Sequence, residues 1–172
     1  ISACLVGSEM CIRDRYYITS PVIMKLLEDR LPITSITVMV QKEAAERLCA
    51  QPGTRECGAV SAAVQYYAEP EILFEVSRGS FMPAPNVDSA VIQLRIRKEP
   101  PVDVHDEALF FRVIRAAFAQ RRKTAVNSIS NTLHMSKQQV TDAFEQAGVR
   151  ANSRAEALTL PEFAAVVNQL AD

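Results

Sequence analysis

The chain has 172 residues, 48% of them apolar and 23% charged, with a formal net charge of -1. That balance excludes a disordered chain, and only 5 Gly and 9 Pro exclude a collagen-like or linker sequence. A chain this long buries about 70% of the surface its unfolded form exposes, so a core needs neither disulfides nor metal.

After residues 1–15, Thr19-Ser20-Pro21 followed by VIMKLLEDRL predicts a helix capped by Ser20. Pro21 would take the first helical position, where its missing N–H costs nothing, and Ile23, Leu26, Leu27 and Leu31 would share one face. Ser35 to Gln41 is short, β-branched and apolar on both faces, the pattern of a central parallel strand. Lys42 to Ala50 predicts a helix that Pro52-Gly53 ends with a turn. A strand followed by a helix is the repeating unit of a doubly wound α/β sheet. Gly58 to Ala68 predicts a further helix, and Ile72 to Arg78 and Ser89 to Arg97 predict two strands. With only GSFMPAPNVD between them, those strands must be antiparallel, with Ala90, Ile92, Leu94 and Ile96 on one face.

Pro100-Pro101 marks a shift in composition and a domain boundary, beyond which every pattern is helical. Asp106 to Gln120 carries an apolar stripe of Phe110, Val113, Ile114, Ala117 and Phe118, with Arg112 and Arg115 off it. Ser136-Lys-Gln-Gln139 and Ser153-Arg-Ala-Glu156 fit capping boxes, and Thr159-Leu-Pro-Glu162 opens a last helix. Between Ala108 and Thr141 six basic residues meet no Asp or Glu, so this window holds +6 and the remainder -7. A neutral total thus permits a local basic face on an acidic body.

The four cysteines form no Cys-x-x-Cys pair, and His105 and His134 are far from them in sequence, so no metal site is expected. A reducing cytoplasm is the expected setting. No apolar run approaches the roughly 20 residues of a membrane span, and residues 1–10 lack the basic start of a signal peptide.

Three segments bear on chemistry. Tyr16-Tyr17 stands just before the first helix, where the sheet's ligands would bind beyond strand ends. In Phe81-Met-Pro-Ala-Pro85-Asn86, two prolines fix φ and would hold Phe81 as a stacking platform, the plainer alternative being a Phe that anchors its loop. Arg121-Arg122-Lys123 at a helix end can simply meet the helix dipole, or with Arg112 and Arg115 can match phosphates.

Together YYITSPVIMKLL, VMVQKEAAERL, FMPAPNVDSAVIQL, FFRVIRAAFAQRRKT and AGVRANSRAEALTLPEF resemble the bacterial small-subunit ribosomal RNA dimethyladenosine transferases, from Tyr16 to the C-terminus. The resemblance implies an α/β fold: the C-terminal part of a Rossmann-like class I methyltransferase sheet, residues 16–99, followed by a small all-α RNA-binding domain, residues 100–172. It implies methyl transfer from S-adenosylmethionine to the N6 amines of two adjacent adenosines, in a cytoplasmic enzyme without metal whose partner is small-subunit rRNA or the pre-ribosomal small subunit. A monomer is expected. The extruded base would lie between Tyr16 and Phe81, with Pro83, Pro85 and Asn86 supporting the loop. Arg112, Arg115, Arg121, Arg122 and Lys123 would contact RNA. This chain departs from the family in two respects. Arg13-Asp14-Arg15 stands where the family has Asn-Leu-Pro, and no Gly-rich turn or acidic residue for the cofactor has a counterpart. Residues 1–15 match nothing in the family and read as an artificial leader. A truncated chain without cofactor-binding residues, catalytically inactive and with an unpaired apolar strand at Ser35–Gln41, is the expectation. The alternatives are a stand-alone RNA-binding module without catalysis, or a structural α/β domain with a charged surface.

Overall fold

Alternating apolar residues build a three-stranded sheet in the first half of the computed structural model, which describes residues 16–29 and 32–171, with side chains from residue 20 onward. The strands are β1 (Ser35–Gln41), β2 (Ala68–Val76) and β3 (Ser89–Ile96), in the order β1-β3-β2 with both pairings antiparallel. Ile36, Val38 and Val40 of β1 stand opposite Leu94, Ile92 and Ala90 of β3. That face is covered by α1 (Tyr16–Glu28), α2 (Lys42–Cys49) and α3 (Ala59–Tyr67), through Ile23, Leu27, Ala45, Leu48 and Val64. Burial on one face only follows the period of two in the strands. On the other face Met39 and Phe74 flank Val91 in one cross-strand row, 49% and 56% exposed.

Several boundaries differ from the sequence expectation for physical reasons. α1 begins at Tyr16 and Pro21 lies inside it, so Ser20 is not its cap. The backbone bond that Pro21 deletes would have reached Tyr17, which confines the disruption to the opening turn. Among the described residues β1 stands at the sheet's edge beside antiparallel β3, in place of the expected central parallel setting. β2 begins four residues early, at Ala68, because an edge strand tolerates Pro70 and because Glu69 and Glu71 are matched across the sheet by Arg97 and Arg95, each pair at 2.7 Å.

The second half is helical: α4 (Glu107–Ala119), α5 (Ala125–Leu133), α6 (Lys137–Gln146) and α7 (Leu160–Ala171). Phe110, Val113, Ile114, Ile129, Phe144 and Phe163 form its core. Asp106 accepts from the Leu109 N–H at 3.0 Å and Ser136 from that of Gln139 at 3.1 Å, the caps that open α4 and α6. Glu162 accepts both the N–H and the hydroxyl of Thr159 at 2.8 Å, which fixes the start of α7. Ser153 opens no α-helix; only a 3₁₀ turn over Ala155–Ala157 follows. Its carbonyl accepts the Ala125 N–H at 2.8 Å, so this segment's backbone serves the start of α5. The two cores meet in α3, whose Val64 packs with the sheet while Ala62 and Tyr66 pack with the helices.

Candidate functional site

Gln41, Ser89 and Val76 form the last cross-strand row, so β1 and β2 end, and β3 begins, at one end of the sheet. The loop carrying Phe81 extends beyond that end, where α/β sheets bind their ligands. Local bonds set its base. The Ser77 hydroxyl accepts from the Gly79 N–H at 3.3 Å, and a 3₁₀ turn over Arg78–Ser80 follows. Asp88 Oδ1 accepts the Arg78 N–H at 2.9 Å, and the Asp88 carbonyl accepts that of Lys42 at 3.0 Å, tying the loop to the start of α2. Lys42 Nζ pairs with Glu75 at 2.8 Å, and this hydrogen bond raises the lysine pKa above its ordinary value. The loop's tip is thereby held out from the sheet: Phe81 and Pro85 are half-buried, Pro83 and Asn86 are exposed, and Met82 is wholly exposed. The Met82–Pro83 peptide is cis. The side chain of Tyr16 lies outside the described residues, so the structure brings together Phe81, Pro83, Pro85 and Asn86 alone.

The basic residues occupy the exposed side of α4 and the turn after it. Arg112 and Arg115, three residues apart, share a helical face, and Arg121, Arg122 and Lys123 fall in the α4–α5 turn, past the helix end at Ala119. All five are exposed. Arg115 Nε donates to the Phe111 carbonyl at 3.2 Å, while Arg112, Arg121, Arg122 and Lys123 make no ion pair or side-chain hydrogen bond with a described residue. Lys25, Lys42, Arg95 and Arg97, by contrast, are ion-paired, while Arg47 and Arg78 near the sheet have no ion pair among the described residues. Exposed cations without acidic neighbours keep their charge available for phosphate.

Sequence reasoning missed the residue that shapes this turn. Ser128, fully buried in α5, donates to the Ala116 carbonyl at 2.6 Å and accepts the Gln120 N–H at 3.1 Å. Those two backbone groups would otherwise bond to each other as the next rung of α4, so the inserted hydroxyl stops the helix where the cations begin. A serine among apolar α5 positions carries no sequence signal for this role. Also missed was Ser89, 1% exposed, whose hydroxyl sits beneath the loop without a partner among the described residues.

β1 runs directly into α2 through Gln41-Lys42 with no glycine turn to let a backbone approach a ligand, and β2 leads into a single-glycine 3₁₀ turn. A cleft of about 240 Å³ lies at the sheet's opposite end, between Leu26, Tyr67, Ile96 and Pro100, away from the Phe81 loop. No group of described His, Cys, Asp and Glu side chains has the arrangement of a metal site, and no described helix is long and apolar enough to cross a membrane. Burial pushes the thiols of Cys49 and Cys57 up to about 11.

The family described as "Ribosomal RNA adenine dimethylase" matches residues 15–172. Ribosomal RNA small subunit methyltransferase A of Geobacillus sp. (strain WCH70) is 52% identical over 158 residues, 90% of this chain and 54% of that protein. The enzyme of the same name from Oceanobacillus iheyensis is 48% identical over 155 residues, 89% of this chain and 53% of its own length. The chain therefore spans about half the length of the curated relatives it matches. Among solved structures, a dimethyladenosine transferase from Plasmodium falciparum superposes with a TM-score of 0.67 at 22% identity, covering 88% of this chain and 62% of that one. The 23S rRNA methyltransferase ErmE gives 0.64 at 22% identity, covering 90% and 62%. Both likenesses are of fold: the α/β arrangement of this chain superposes on those of the two structures.

Proposed function

Because the chain belongs to the ribosomal RNA adenine dimethylase family, we propose that it forms the target-binding part of a cytoplasmic enzyme that dimethylates the N6 amines of two adjacent adenosines in small-subunit rRNA. Residues 16–99 supply the base-holding end of the sheet, and residues 100–172 supply the RNA-binding surface. The observation that carries the reading is the set of five exposed cations at Arg112, Arg115 and Arg121–Lys123, none of them with an acidic partner among the described residues. Phe81, aided by Pro83, Pro85 and Asn86, holds one face of the extruded adenine, and Tyr16 holds the other. Stacking of this kind contributes roughly 1–3 kcal/mol per base, comparable to the cost of unstacking it. S-adenosylmethionine supplies the methyl group in the whole enzyme, and the described residues hold and orient the RNA. The chain acts as a monomer.

The test is a salt titration of binding to a small-subunit rRNA hairpin. If each of the five cations meets one phosphate, replacing all five by Ala removes about 4–5 from the slope of log affinity against log salt. Arg95→Ala, which removes an ion-paired cation of the sheet, leaves the slope unchanged. Equal slopes for the parent and the fivefold variant would sink the proposal. The run from β1 into α2 without a glycine turn favours a second reading, an RNA-binding module without catalysis. Methyl transfer from S-adenosylmethionine to small-subunit RNA above background by this chain would exclude it.

A further inference from the structure

We propose that Glu107 is a positioning residue that locks the helical half onto the sheet half and so fixes where the basic turn stands relative to the Phe81 loop. This rests on the RNA-binding reading above. Glu107 is the first residue of α4, and both its carboxylate oxygens are taken by consecutive residues of α3. Tyr67 donates its hydroxyl to Oε1 at 3.0 Å, and Tyr66 donates to Oε2 at 3.2 Å. The carboxylate also lies at a helix N-terminus, where negative charge is favoured. α3 is the element both cores share, so this fork ties the start of the helical half to a helix that also packs on the sheet.

α3 and α4 also meet through apolar and aromatic packing. Tyr67 stacks on Phe111 with centroids 5.2 Å apart and planes at 15°, and Tyr66 meets Phe110 at 5.2 Å and the edge of Phe111 at 5.1 Å. Such packing supplies cohesion, but the hydrophobic part of it is non-directional and tolerates small rotations. Two hydrogen bonds from fixed rings to one carboxylate do not tolerate them. The connecting segment does not substitute for the fork, because it is fastened to each half separately. Arg97 donates its N–H to the Tyr67 carbonyl at 2.9 Å, whereas His105 donates to Asn168 Oδ1 of α7 at 3.0 Å. With the halves held rigidly, an RNA that touches both the basic turn and the Phe81 loop meets a surface already in place, and no affinity is lost to ordering it.

Residual dipolar couplings of the weakly aligned full chain test this. In the parent, backbone N–H couplings from β1–β3 and from α4–α7 fit one alignment frame. Glu107→Ala requires two frames, with the helical set reduced in magnitude. Tyr67→Phe, which keeps the ring on Phe111 and deletes only the hydroxyl, shifts in the same direction by a smaller amount and decides the matter if Glu107→Ala fails to fold. Glu107→Gln, which retains an acceptor and adds a donor for the second hydroxyl, returns to one frame. A single frame in Tyr67→Phe and in any folded Glu107→Ala overturns the proposal. RNA binding provides the second readout. Glu107→Ala loses about tenfold in affinity for a hairpin with two adjacent unpaired adenosines and less than about twofold for a plain duplex that reaches the basic surface alone; equal losses overturn the positioning role. A parent chain that binds neither RNA ends the RNA-binding reading, while the alignment frames still decide whether Glu107 locks the halves.

Discussion

Replacing Ser128 by Ala removes one buried hydroxyl and, with it, the device that ends α4. The parent side chain satisfies the Ala116 carbonyl at 2.6 Å and the Gln120 N–H at 3.1 Å, in a site with no solvent exposure. Two hydrogen bonds at about 1 kcal/mol each give an expected loss of about 2 kcal/mol. For a chain of this length that lowers the thermal midpoint by roughly 4–8 °C. The two orphaned groups can recover part of the loss only by bonding to each other, which adds a rung to α4. Each residue added to a helix turns the chain by about 100°, so that relaxation re-aims Arg121, Arg122 and Lys123. Far-UV circular dichroism melts suit a chain without tryptophan, and amide chemical shifts of 119–124 report the extra rung. A Ser128→Ala variant with a parental midpoint and parental shifts in that turn would refute the argument that the hydroxyl holds the turn.

Cys49 and Cys57, with thiols raised by burial to about 11, should alkylate at pH 8 about 100-fold more slowly in the folded chain than in urea, since two pKa units cost that factor in thiolate; peptide-resolved mass spectrometry measures it, and equal rates would contradict the burial. The same shift favours the protonated thiol in the fold, so its stabilising contribution is complete below the unfolded value near 9.0 and is withdrawn as pH rises toward 11. The denaturation midpoint should therefore fall across that interval. Phe81→Ala should change stability by less than about 1 kcal/mol, because the hydrogen bonds that Asp88 accepts from Arg78 and Lys42 hold the loop base. It should weaken binding of adenine-containing single-stranded RNA by roughly 1–3 kcal/mol. A large drop in melting temperature with binding intact would identify Phe81 as the anchor of its loop.

Legibility in the sequence followed the range of the interactions. The α4 stripe was readable because a period of 3.6 is local: Phe110, Val113, Ile114 and Ala117 are buried, and Arg112 and Arg115 are exposed as expected. The alternation in β3 and the caps at Ser136 and Thr159 were readable for the same reason. What failed depended on partners distant in sequence. Pro70 argues against a strand until β2 is known to be an edge, and the acids beside it make sense only opposite Arg95 and Arg97. Ser153 has the pattern of a cap, but its carbonyl is committed to Ala125, 28 residues earlier. The cationic cluster of the candidate site was legible as composition. Its placement in a turn was not, because the group that ends the helix comes from Ser128 in the next one.

A net charge of -1 therefore carries little information about binding, since at physiological salt a charge is felt over about 8 Å and the total is taken over a whole surface. What matters is which charges are neutralised locally. Arg95 and Arg97 face glutamates across the sheet at 2.7 Å and present little free field to a ligand. The window from Ala108 to Thr141 contains no acid in its sequence, so the stretches on either side of the basic turn bring no carboxylate of their own to it. The same local rule makes Arg121 and Arg122 more informative than Arg95: an arginine without an acidic partner among the described residues is a cation still available to a phosphate, whereas Arg95 and Arg97 are already neutralised by glutamates.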